Sequence, residues 1–181
     1  MKQVYICFSP DIIHNGHLSI LKKAADLGEV TVGILTDEVV ASYKHYPLIP
    51  LDERIAMFDS LRYVSRVVVQ ESLDYTDILN QLRPDVVVHG DDWKTGFQKP
   101  IRDEVVEILA GYGGKLVEYK YSNDPKYIEL EKASRAQMST PDFRRSRLKK
   151  LIGMKGCVSA LEAHSGITGL ICENTKVLRD G

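Results

Sequence analysis

Cysteine is scarce: Cys7, Cys157 and Cys172 are the only three in 181 residues, and none form a CxxC spacing. An odd count without paired spacing supports neither a disulfide framework nor a cysteine zinc site. The expectation is small, buried apolar residues in a reduced compartment. Charge of one sign is lacking as well. Lys and Arg number 24 against 25 Asp and Glu, a formal net charge of −1, so no basic excess marks a general nucleic-acid surface. Long hydrophobic runs are absent too, and nothing approaches the roughly 20 apolar residues of a membrane helix. Near the N-terminus Pro10, Asp11 and His14 interrupt any signal-peptide core. The expectation is a soluble, cytoplasmic chain. What is there is a sequence 44% hydrophobic, sufficient to bury one ordinary core.

The apolar pattern changes period repeatedly along the chain. Residues 4–8, 30–35, 64–69, 86–89 and 115–119 are short apolar runs rich in β-branched residues, which predicts five buried strands. Between them, residues 16–27, 51–61, 75–82 and 99–110 repeat apolar positions at helical spacing, and residues 141–152 form a last, basic helix. Strands alternating with helices predict βαβ units, hence an α/β fold with a parallel sheet covered on both faces. Open sheets of this kind bind ligands beyond the carboxyl ends of their strands. The residues following strands one and four are therefore the first candidates.

Strand one runs into Ser9, Asp11 and then His14-Asn15-Gly16-His17, which opens a helix. A helix N-terminus presents unpaired N–H groups and partial positive charge, so it favours phosphate. Two histidines at that end add donors, and Gly16 leaves room for close approach. The competing reading is that the two histidines merely cap the helix or pack on the sheet. Strand four is followed by Gly90-Asp91-Asp92-Trp93. There the competing readings are a plain turn for the aspartates and a core position for Trp93. The basic residues of the last helix, Arg144 among them, read equally as a solvated face.

The His-x-Gly-His pattern resembles the signature of the nucleotidylyltransferase superfamily, which includes cytidylyltransferases and pantetheine-phosphate adenylyltransferases. Further matches narrow the resemblance to cytidylyltransferases of the glycerol-3-phosphate type. They are His89-Gly90-Asp91-Asp92-Trp93, Arg62-Tyr63-Val64, Lys44, and Met138-Ser139-Thr140 ahead of the last helix. The sequence departs from that pattern where Ser65-Arg66 replaces an acidic pair and Pro141 replaces a second threonine.

The resemblance implies a Rossmann-like open parallel sheet of the nucleotidylyltransferase type and transfer of a nucleoside monophosphate with release of pyrophosphate. It implies catalytic roles for His14, His17, Lys44 and Arg62. Nucleotide contacts are implied for Phe8, Ser9, Asp11, Gly16, Gly90, Asp91, Asp92, Met138, Ser139 and Thr140. Acceptor contacts are implied for Asp11, Lys44, Trp93 and Arg135. Magnesium is expected as the partner of CTP, bound mainly through its phosphates with no dedicated protein ligands. A homodimer is expected by analogy with the relatives. Residues 121–135, which carry Lys126, Tyr127 and Arg135, are longer than the direct link in the smallest members. They read as part of the acceptor pocket, or else as a surface excursion or dimer contact.

Beyond residue 152 the composition shifts, which predicts a boundary there: a transferase domain over 1–152 and a second segment over 153–181. Residues 161–170, centred on Glu162-Ala163-His164-Ser165-Gly166, resemble the opening of phosphoenolpyruvate phosphomutase. A full (β/α)8 barrel needs about 250 residues, so this segment is expected to be the start of a fused phosphomutase domain. That fusion implies a phosphonate acceptor, 2-hydroxyethylphosphonate or 2-aminoethylphosphonate. Without it, glycerol 3-phosphate or phosphoethanolamine is expected. Rival readings are an adenylyltransferase of the same superfamily and a non-catalytic nucleotide-sensing module.

Overall fold

The computed structural model describes residues 1–44, 46–120, 125–137, 141–155, 165 and 167. It divides into two compact units, Met1–Ser139 and Thr140–Gly181. The first holds the whole sheet. In chain order its elements are β1 (Gln3–Phe8), α1 (Asn15–Ala25), β2 (Glu29–Leu35), α2 (Asp37–Tyr43), α3 (Leu51–Asp59), β3 (Arg66–Gln70), α4 (Thr76–Leu82) and β4 (Val86–Gly90). Two 3-10 turns (Asp91–Lys94, Gly96–Gln98), α5 (Lys99–Ala110), β5 (Lys115–Tyr119) and α6 (Pro125–Gln137) follow. The second unit contributes α7 (Pro141–Lys155). The expected boundary near 152 thus lies inside α7, and the division into compact units lies ahead of that helix.

All strands pair in parallel, in the order β3-β2-β1-β4-β5. This is the expected α/β, Rossmann-like sheet. Register explains its two cores. Ile6 pairs with Val32 on one side and Val88 on the other, and that row continues to Val67 and Val117. These residues face one side of the sheet, where Leu21 and Ala24 of α1 and Phe58 of α3 cover them. The next residue along β1, Tyr5, faces the opposite side with Val87, under Leu79 of α4 and Val105 and Leu109 of α5. Alternation along a strand with helices on both faces is what makes each strand a continuous apolar run.

One glycine is dictated by this packing. A Cβ at Gly33 would stand 1.9 Å from the Tyr5 hydroxyl oxygen, because the Tyr5 ring crosses β2 to donate a hydrogen bond to buried Gln70 Oε1 at 2.5 Å. Two helices were not expected. Helix α2 is 7 residues long and buries Val40 alone among them, too little for periodicity to register. Helix α6 lies largely in the segment read as part of the acceptor pocket, or else as a surface excursion or dimer contact; it is weakly patterned, and its described side chains are mostly exposed.

Candidate active site

The strand order reverses at β1, where the chain leaves for β2 on one side and later returns to β4 on the other. Ligand crevices open at such switch points. Here a cleft of about 330 Å³ lies at the carboxyl ends of the strands, lined from β1 by Phe8 and Ser9, from β4 by His89 and Gly90, and from beyond β5 by Lys120.

His14 is the N-cap of α1, with extended backbone (φ −131°, ψ 175°). Its Nδ1 accepts from the Gly16 N–H at 3.1 Å, and His17 Nδ1 accepts from the His14 N–H at 3.3 Å. The histidines therefore close a reciprocal capping box, the role Ser/Thr and Glu/Gln usually share. A ring nitrogen that accepts from a backbone amide carries no proton. The hydrogen-bond network thus assigns the proton of each neutral ring to Nε2, making both rings donors at that edge. The capping reading and the phosphate reading are consequently one arrangement. Capping orients the rings, and an Nε2–H donor edge at a helix N-terminus suits phosphate. His17 lines the cleft with Gly16; His14 packs beside His17, centroids 3.9 Å apart and planes tilted by 37°. Phe8 holds His17 edge-on at 5.5 Å and is itself stacked on Phe58 at 5.0 Å.

The opposite wall is α2. Thr36 caps it through its hydroxyl to the Val39 N–H (3.3 Å), and Lys44 closes it. Lys44 Nζ donates to the Ser9 carbonyl at 3.3 Å. The Tyr43 and Ser9 hydroxyls meet at 2.7 Å, so the end of α2 is tied to the loop after β1. Burial pushes the Tyr43 hydroxyl up to about 12 despite that bond to Ser9, which keeps it protonated. Behind this wall sits Arg54, fully buried. It donates to the carbonyls of Leu35 (2.8 Å) and Ile49 (3.1 Å) and pairs with Asp37 at 2.5 Å.

On the β4 side, His89 Nδ1 lies 2.9 Å from the Gly90 carbonyl. A carbonyl only accepts, so Nδ1 carries the proton and Nε2 is left as an acceptor, the reverse of His14 and His17. Burial holds this imidazole below its ordinary value, against the opposing pull of the Gly90 carbonyl and of Asp92 and Glu118. Trp93 is buried beneath it, and its indole N–H donates to Glu118 Oε1 at 2.8 Å. Arg102 grips the same carboxylate at 2.8 and 3.0 Å. Hydrogen bonds from Arg102, then Trp93, hold Glu118 down at about 2.

Most of the expected residues converge. Phe8, Ser9, Gly16, His17, Lys44, Gly90, Asp92 and Trp93 line the cleft, with His14 packed beside His17. Three are placed otherwise. Asp11 is buried, and its Oδ1 accepts the amides of Leu48 (2.7 Å) and Ile49 (3.3 Å). It holds the loop between α2 and α3 and is not among the lining residues. Asp91 begins a 3-10 turn outside the lining set. Arg62 is brought nowhere near the cleft within one chain. It precedes β3, and the nearby Ser65 amide bonds to Val30, close to the start of β2, which puts it at the amino ends of a parallel sheet. Its guanidinium instead donates to the Tyr63 hydroxyl at 2.9 Å. Met138, Ser139 and Thr140 lie outside the described residues, as do the side chains of Arg135 and Arg144. Of the three cysteines, Cys7 is described: burial pushes its thiol up to about 12, and it faces the cleft.

Some lining residues escaped sequence reasoning. Tyr43 adjoins Lys44, and Lys120 follows β5 just as the strand-end rule would place it. His89 opened a quoted motif but read as the last residue of a strand. Lys23 lies three residues beyond Ile20 on α1, on the turn that faces the cleft; its Nζ stands 4.8 Å from the Tyr119 ring centroid.

The cytidylyltransferase-like family matches residues 8–146, more than half of the chain. An ethanolamine-phosphate cytidylyltransferase of Dictyostelium discoideum is 39% identical over 95 residues, 50% of this chain and 26% of that protein. A FAD synthase of Methanopyrus kandleri is 35% identical over 86 residues, 45% of this chain and 57% of that protein. The matched region thus spans little more than half of these relatives, or less. The crystal structure of a lipopolysaccharide core biosynthesis protein from Thermoplasma volcanium superposes with a TM-score of 0.59 at 23% identity, covering 68% of this chain and 99% of that one. That likeness shows the fold.

Proposed function

We propose a reaction for this chain, which belongs to the cytidylyltransferase-like family of nucleotidyltransferases: transfer of CMP from CTP to a small phosphonate, 2-hydroxyethylphosphonate or 2-aminoethylphosphonate, with release of pyrophosphate. The observation that carries the transfer chemistry is the reciprocal capping of α1 by His14 and His17, which aims two imidazole donors from a helix N-terminus at the carboxyl edge of the sheet. The acceptor choice rests on the likeness of residues 161–170 to a phosphomutase opening; apart from Ser165 and Ile167, those residues lie outside the described ones.

An acceptor phosphonate oxygen is already anionic, so it attacks the α-phosphorus of CTP directly as the bond to pyrophosphate breaks. No general base is required. The protein's contribution is to hold the reactants in line and stabilise charge on the α-phosphoryl oxygens. The Nε2 protons of His14 and His17 meet those oxygens. Lys44, anchored through Ser9, neutralises the acceptor and α-phosphoryl charge. Lys120 and Lys23 add positive charge, and Ser139 and Thr140 are assigned to the departing phosphates. Among the described residues no three His, Cys, Asp or Glu side chains gather as a metal site. Asp92 is the one carboxylate among the described residues of the lining. Such a set fits magnesium carried by the nucleotide, whose chemistry when bound is to neutralise phosphate charge.

A second reading, phosphoethanolamine as acceptor, is favoured by the Dictyostelium relative; an adenine nucleotide as donor is favoured by the FAD synthase. One experiment separates them. Incubate the chain with magnesium, either CTP or ATP, and each acceptor in turn, following pyrophosphate. Release with CTP and a phosphonate supports the proposal. Release with phosphoethanolamine alone moves the acceptor, release from ATP alone moves the nucleotide, and tight CTP binding without release from any pair makes the chain a sensor.

A further inference from the structure

The segment 125–137 forms a helix, α6, and it delivers one ring to the catalytic end of α1. The Tyr127 ring lies parallel to the His14 imidazole, centroids 4.3 Å apart and planes 6° apart. His14 also contacts the His17 ring at 3.9 Å, tilted by 37°. Two rings cannot share one face of an imidazole at such distances, so His14 lies between them. The column continues inward, with Phe8 edge-on to His17 and stacked on Phe58 of the core. Its inner end is a buried wall, and its outer end is half-buried Tyr127.

We propose that Tyr127 is a positioning residue for the transfer reaction: lying flat on His14, it holds that imidazole against His17 so that the Nε2–H edges of both rings keep their direction toward the phosphoryl group. Two constraints already act on His14 within its own helix. The Gly16 amide holds Nδ1, which sets the tautomer and one in-plane direction, and His17 covers one face. Neither prevents the ring from swinging outward about its side-chain bonds. A flat ring on the outer face does, and it does not compete with donation from the imidazole edge, because stacking uses the faces of a ring and not its rim. Misplacing a donor by about 1 Å costs as much as a hundredfold in rate. A face contact from another element is therefore a catalytic matter even though Tyr127 touches no reacting atom. The stacked ring also favours the imidazole when it takes on positive character beside the phosphoryl anion, through the ring quadrupole.

This assignment rests on the nucleotidyl-transfer reading for its kinetic consequence but not for its structural one, and the tests are separable. In full-length protein labelled with 15N-histidine, His14 ring protons between two rings should resonate upfield and its nitrogens should report an Nε2–H tautomer. Tyr127→Leu, a substitution a helix tolerates, should move those protons downfield while leaving the thermal midpoint within a few degrees. Tyr127→Phe should leave them in place. With CTP, magnesium and the best acceptor, Tyr127→Leu should lower kcat about tenfold with little change in KM for CTP, and Tyr127→Phe should restore it. The inference is overturned if the His14 resonances do not respond to Tyr127→Leu, if Leu and Phe behave alike, or if the loss falls on KM alone. If the wild-type chain releases no pyrophosphate from any pair, the transfer reading fails, and the resonances still decide whether Tyr127 positions His14.

Discussion

The indole of Trp93 lies flat on the imidazole of His89, ring centroids 3.6 Å apart and planes within 8°. Trp93 is the chain's single tryptophan, so its emission reports on this stack. An imidazolium quenches an adjacent indole more strongly than neutral imidazole does, and burial keeps His89 neutral to lower pH than an ordinary histidine. The midpoint of the fall in tryptophan emission on acidification should therefore lie below the ordinary histidine value of about 6.5. His89→Phe, which keeps a flat ring under the indole, should remove the fall. A midpoint at or above the ordinary histidine value would contradict the assignment.

The carboxylate under that indole sets an acid limit on stability. Glu118 titrates at about 2 in the folded chain against an ordinary 4.5. Its pKa is depressed on folding, so its contribution is present above about 4.5 and is lost as pH falls toward 2. Allowing for screening near the surface, the contribution is about 2 kcal/mol. Urea denaturation of wild type and Glu118→Gln should differ by about that amount near neutrality, and the two curves should converge as the pH drops through this window.

Arg54 is fully buried, with Asp37 mostly covered beside it. Removing one partner of such a pair leaves an uncompensated charge and costs about 3–5 kcal/mol. Arg54→Met should show a loss of this size in urea titration, since it also strips donors from the Leu35 and Ile49 carbonyls. The double variant with Asp37→Asn should recover part of it. Because the pair braces α2, partial recovery of stability should be accompanied by partial recovery of Lys44-dependent turnover.

His17 is the imidazole that lines the cleft. Replacing it by Ala removes one preorganised donor and should lower kcat about a hundredfold while KM for CTP changes little. Steady-state pyrophosphate release measures both. Near-normal turnover would remove His17 from the reaction.

A Cβ at Gly33 collides with the Tyr5 hydroxyl and ring. Gly33→Ala should destabilise the fold by about 1–3 kcal/mol, the usual range for overpacking a core, measured by thermal or urea unfolding. Adding Tyr5→Phe should relieve only part of this, since the ring carbon at 2.6 Å remains in the way.

Much of the site was legible because it obeys local rules. Phe8, His14, Gly16 and His17 are set by one strand, one turn and one helix N-terminus, and Gly90 and Asp92 by the end of another strand. Arg62 could not be placed from sequence for the complementary reason. A charged residue next to a strand looks alike at either end, and only the direction of the strand in the sheet places it at the amino edge, away from the cleft. Asp11 sits in the right loop, but its carboxylate is committed to amides 37 and 38 residues away, a pairing no local pattern contains.

The sequence by itself determined the alternation of strand and helix, the parallel sheet that follows from it, and the histidine pair at the first helix N-terminus, because periodicity and capping act over a few neighbouring residues. The tertiary structure decided what depends on distant partners meeting: Tyr127 brought face to face with His14, Arg102 and Trp93 converging on Glu118, Arg54 buried against Asp37, and the opposite tautomers of His89 and the His14–His17 pair. Each of these is set by packing and by which backbone group a side chain meets, and those neighbours are assigned only when the sheet has closed.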